Sequence, residues 1–222
     1  MMKWLSRLEL RARSKFYISN LMYYIIGGMA VVFLLDMLGF GASNLFYLDM
    51  NAVMRGQVWR LVTFIFLPPQ TSFIFIIIAL YFYYMIGNAL ESMWGSFRFN
   101  LYYLVGMLGA IVSAIISQAI WGMGYADNTF LNMSLFLAFA AMNPNFQIML
   151  MFLIPIKMKW LALFDVALYA WQFITGGWDA RIAIVFSLAN LILFFGKDAM
   201  RMARAEIMTL RRRIRFKSNY RR

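Results

Sequence analysis

Apolar runs recur along the chain at roughly 17–39, 66–90, 97–121, 129–143, 158–175 and 180–196. A helix rises about 1.5 Å per residue and a bilayer's hydrocarbon core is about 30 Å thick, so runs of about 17–25 residues predict six membrane helices. The fourth run is short for a full crossing. It is expected to start below the outer surface, where its first turn would line a cavity instead of touching lipid. The connection over 40–60 is long and places Leu45, Phe46, Tyr47, Met54 and Trp59 among polar residues, which predicts a loop lying on the membrane.

The ends are patterned differently. Residues 1–16 set Trp4, Leu5, Leu8 and Leu10 among cations, the mark of an interfacial segment and not of a cleavable signal. The first span would then act as its own insertion signal. In the tail, Met200, Ala203, Ile207, Leu210 and Ile214 recur at helical spacing beside arginines, which predicts a surface helix. The organisation expected is an interfacial cytoplasmic segment over 1–16, one membrane domain over 17–196 and a basic cytoplasmic tail over 197–222.

Composition agrees with a lipid solvent. Of 222 residues, 64% are hydrophobic and 14% charged, against roughly 25% charged for a soluble domain. Mean hydropathy is +0.70. The chain contains no cysteine and no histidine. Thiolate chemistry is excluded, and no imidazole is available as general base, pH switch or metal ligand. No metal and no cofactor are expected.

The net charge of +12 is concentrated at the termini. With six spans both ends share one side, and 18 of the 21 basic residues then face the cytoplasm, leaving Arg55, Arg60 and Arg181 outside. This asymmetry predicts cytoplasmic N and C termini that contact anionic lipid headgroups, with no specific nucleic acid as partner. The expected residence is a bacterial inner membrane.

The stretch Trp59-Arg60-Leu61-Val62-Thr63-Phe64, followed by Gly87-Asn88-Ala89-Leu90-Glu91 and Trp94-Gly95-Ser96, resembles the rhomboid signature at the entry and exit of the second span. Pro155-Ile156-Lys157-Met158-Lys159-Trp160-Leu161 is similar to the cytoplasmic start of the rhomboid fifth span. The chain also resembles Derlins, non-proteolytic relatives that serve membrane-protein quality control. The resemblance implies an all-α fold, a six-helix rhomboid-like transmembrane bundle with a membrane-associated first loop.

Rhomboid proteolysis uses a serine in a "G.SG" turn at the fourth span and a histidine in the sixth. The serine position falls near Thr129, with Ser134 deeper, and the histidine position falls near Ser187. The second-span His and Asn that help hold the oxyanion correspond to Phe75 and Ala79. A hydroxyl of high pKa is a poor nucleophile until a base takes its proton, and none of these positions carries one. No catalytic residue is therefore assigned. An aspartyl pair would have to use Asp36 and Asp165.

The leading expectation is a rhomboid-like pseudoprotease that binds transmembrane segments of client membrane proteins, in quality control or trafficking. Asn132, Ser134, Asp165 and Asn190 would line its client cavity, and Asp165, costly in lipid, should find a partner such as a tyrosine, Asn132 or Asn190. Trp59, Arg60, Gly87, Glu91 and Gly95 are assigned structural roles. Two alternatives stand beside it: an active intramembrane serine-type endopeptidase using Thr129 or Ser134 with a non-standard base, and a small transporter or channel.

Overall fold

The computed structural model describes residues 17–69, 72–150 and 154–196. The interfacial segment 1–16 and the tail helix expected over 197–217 lie outside the described residues. The described chain is mostly helical. Its longer helices are α1 (Leu21–Met37), α5 (Phe73–Trp94), α6 (Ser96–Trp121), α7 (Thr129–Met142), α8 (Met158–Thr175) and α9 (Trp178–Gly196). Between α1 and α5 come three short ones: α2 (Ala42–Phe46), α3 (Met50–Met54) and α4 (Arg60–Thr63). By length and composition, α5, α6 and α9 are long and apolar enough to cross a membrane, while α1 and α7 are apolar but shorter.

The runs read from hydropathy shift where local chemistry intervenes. The second starts at Phe73 and not at 66, because Phe64–Phe66 form a single 3-10 turn and Pro68-Pro69 stop it. Two antiparallel strand pairs also depart from a purely helical fold. Strands β3 (Gln147–Leu150) and β4 (Ile154–Lys157) form a hairpin between α7 and α8. Strands β1 (Leu48–Asp49) and β2 (Tyr125–Ala126) pair the long loop with the α6–α7 connection.

Packing follows small residues. α1 lies on α5, and a Cβ at Gly87 would collide with the Met22 side chain, so this crossing needs glycine. Gly106 on α6 is pressed likewise against Leu131 of α7. The start of α1 is tied to α5 by Glu91, buried at 7% exposure, whose Oε1 accepts from Asn20 N at 2.8 Å. Gly95, at φ 82°, makes the turn from α5 into α6. Beside it Trp94 packs on Phe195 at 4.3 Å between ring centroids, closing α9 onto α5 and α6.

The loop over 40–60 is folded, not slack. Arg60 is 8% exposed and donates from Nη1 to the carbonyls of Asn44 (2.8 Å) and Tyr47 (2.7 Å) and from Nε to Gln57 Oε1 (2.7 Å). Asp36 accepts from the backbone N and hydroxyl of Ser43, fixing the entry to α2, and is thereby committed far from any pairing with Asp165. Trp59, assigned a structural role with Arg60, is instead 50% exposed beside Met54 (65%) and Val58 (61%), an apolar surface suited to an interface.

Arg60→Met strands two carbonyls that the guanidinium now satisfies, and it should lower stability by about 2–4 kcal/mol. Denaturation in detergent micelles measures this; a loss below about 0.5 kcal/mol would mean that the loop does not need its arginine.

Candidate functional site

The polar residues of the interior gather around the first two turns of α7. Thr129 N donates to Asp127 Oδ1 (2.9 Å) and Asn132 N to Asn128 O (2.9 Å), which starts the helix. Asn128, 5% exposed, extends its Nδ2 to the carbonyls of Ile65 and Leu67, both at 2.9 Å, and so ties the segment preceding the two prolines to α7. One turn on, Ser134 donates to Leu131 O (2.7 Å) and accepts from Tyr102 OH (2.9 Å).

On the adjoining face, α8 and α9 reach the same turn. Ser187 Oγ donates to Phe130 O (2.8 Å), and Tyr169 OH lies 3.1 Å from that carbonyl and 3.0 Å from Ser187 Oγ. Ser187, where the resemblance puts the histidine position, thus reaches α7 with its hydroxyl engaged by backbone. Thr129 is exposed and lies on the neighbouring residue.

The four residues expected to line one client cavity divide between two spaces on either side of α7. Ser134 and Asn190 line a cavity of about 170 Å³ with Ser187, Asp127, Asp179 and Tyr47. Asn132 and Asp165 line a groove of about 640 Å³ bordered by α5, α7 and α8, with Phe75, Ala79, Phe82 and Leu168 among its apolar walls. Asp165 does not find the partner expected for it: its Oδ2 and Asn132 Oδ1 are both buried without a hydrogen bond. Asn190 is not available to it, since its Nδ2 donates to Tyr102 O at 3.2 Å. Sequence reasoning missed Asn128, Tyr102 and Tyr169. Asn128 stood beside Thr129 in the stretch already singled out, whereas the tyrosines were indistinguishable from interface aromatics.

The family model described as Eukaryotic integral membrane protein (DUF1751) matches residues 19–195. The chain belongs to this family. The match covers every long helix from α1 to α8 and nearly all of α9. It establishes an integral membrane protein and overturns the expected bacterial inner membrane, because basic flanks obey the same charge rule in bacterial and eukaryotic membranes. No curated protein matches the chain.

Asn128→Ala removes both bonds to Ile65 and Leu67 and leaves two buried carbonyls bare. A loss of about 2–3 kcal/mol is expected, against under about 0.5 kcal/mol for the exposed Thr129→Ala. Unfolding of both variants side by side checks the ranking.

Proposed function

We propose that this DUF1751-family protein is a rhomboid-like pseudoprotease with six spans, which receives a transmembrane segment of a client membrane protein in the groove between α5 and α8. The observation that carries this reading is the groove itself. It has apolar walls at the depth of the spanning helices and two buried acceptors, Asn132 Oδ1 and Asp165 Oδ2, without partners. An unpartnered polar atom in an apolar layer costs on the order of 1–3 kcal/mol, and a polar group on an incoming helix recovers part of it. Phe75 and Ala79, at the positions where the resemblance expects oxyanion donors, serve here as groove wall.

The absence of hydrolysis follows from chemistry. The chain has no histidine. Of the three hydroxyls at or near the expected catalytic positions, Ser134 and Ser187 donate to backbone carbonyls, Leu131 O and Phe130 O, and Thr129 is exposed at the start of α7. Without a base, an alcohol forfeits the roughly 10²–10⁴ of rate that general-base help supplies. Holding a client without cutting it suits quality control or trafficking of membrane proteins, and the basic termini belong to the same reading as contacts for anionic headgroups.

The test places a photo-crosslinker at Leu168 in protein reconstituted with a transmembrane-helix client, and reads the products by mass spectrometry. Intact crosslinked client is expected, reduced at least fivefold by Ala79→Trp, which fills the groove, and by Asn132→Leu with Asp165→Leu. Crosslinking indifferent to the filled groove would sink the docking site; cleaved client would sink the pseudoprotease.

A further inference from the structure

The smaller cavity has a chemistry of its own, independent of the groove. Its two serines and its asparagine donate to backbone: Ser134 and Ser187 to the carbonyls of Leu131 and Phe130, and Asn190 to that of Tyr102. Asn190 is 4% exposed and its Oδ1 has no partner, a buried acceptor on the cavity lining. At the other end Asp127 and Asp179 contribute carboxylates, in a chain whose net charge is +12.

Two aromatic rings complete the lining. Tyr47 and Tyr125 stand with centroids 6.1 Å apart, tilted by 46°, and remain 37% and 41% exposed. Burial first, and then the carboxylates of Asp127 and Asp179, raise the Tyr47 hydroxyl above its ordinary pKa, so this group adds no negative charge. Open aromatic faces beside carboxylates attract organic cations through the ring quadrupole. A bare metal ion is served less well: among the described residues no group of three acidic, histidine or cysteine side chains is placed to hold one. At roughly 30 Å³ per water, the space of about 170 Å³ takes about six water-sized groups, enough for a small headgroup and not for a helix.

We propose that the cavity between the start of α7, α9 and the loop carrying Tyr47 binds a small organic ammonium group. The ammonium hydrogens meet Asn190 Oδ1 and the two aspartates, and the alkyl part lies on Tyr47 and Tyr125. A soluble amine and an aminolipid headgroup share this chemistry.

The test titrates ethylammonium chloride into the full chain in phosphatidylglycerol nanodiscs by calorimetry, with sodium chloride at equal ionic strength as control. Saturable binding is expected with ethylammonium and not with sodium. Asp127→Asn with Asp179→Asn should weaken it at least tenfold, while keeping at position 127 the oxygen that Thr129 N uses. Tyr125→Leu, at an exposed ring, should weaken it at least threefold and serves if the double variant fails to fold. In phosphatidylethanolamine nanodiscs, loss of ethylammonium binding assigns the natural ligand to the lipid, and unchanged binding assigns it to a soluble amine. No saturable binding, an equal response to sodium, or affinity unchanged in both variants overturns the site.

Discussion

A helix of 14 residues rises about 21 Å, short of the about 30 Å of a bilayer's hydrocarbon core, and α7 is such a helix. Its first turn is met by polar partners from the surrounding chain. Asp127 takes the Thr129 amide, Asn128 reaches across to the segment before α5, and Phe130 O receives hydroxyls from α8 and α9. Three helices and a loop are thus held together around the first turn of one short helix.

The start of α7 also sets the use of two serines. In a low-dielectric surrounding, a serine hydroxyl without a base still has a proton to place. Ser134 and Ser187 place theirs on carbonyls of the first turns of α7, where the bonds fasten the bundle. A nucleophile needs its lone pair aimed at substrate and its proton aimed at a base, whereas a fastener needs its proton aimed at backbone. These two serines meet the second requirement.

The sequence was most legible where a single long-range rule applies. Hydropathy marked the apolar runs that fold as helices, three of them long enough to cross a membrane, and Arg60, Gly87 and Glu91 stand at a buried guanidinium, a helix crossing and a buried carboxylate. It was least legible where one local choice overrides the average. Leu67 extends an apolar run, yet Pro68-Pro69 end it. Gln147–Leu150 and Ile154–Lys157 read as loop between two helices, and they pair with each other as an antiparallel hairpin. Trp59 shared a motif with Arg60, but only one of the two turns inward. The cellular setting was not legible at all, since basic termini follow the same electrostatic rule in any membrane.

The division of the interior into two spaces was, in principle, readable from residue numbers. At 100° per residue, positions two apart on a helix stand about 200° from each other, so Asn132 and Ser134 look out from opposite faces of α7. Asn132 therefore joins Asp165 of α8 on the groove side, while Ser134 joins Asn190 of α9 on the cavity side. The two spaces differ in lining for the same reason. On the groove side the neighbours are the helices α5 and α8 with apolar walls, interrupted by two buried acceptors. On the cavity side the neighbours are loops carrying Asp127, Tyr47 and Tyr125, which bring charge and aromatic faces but little width. One short helix, too short to cross the bilayer, thereby separates a lateral apolar opening from a polar one.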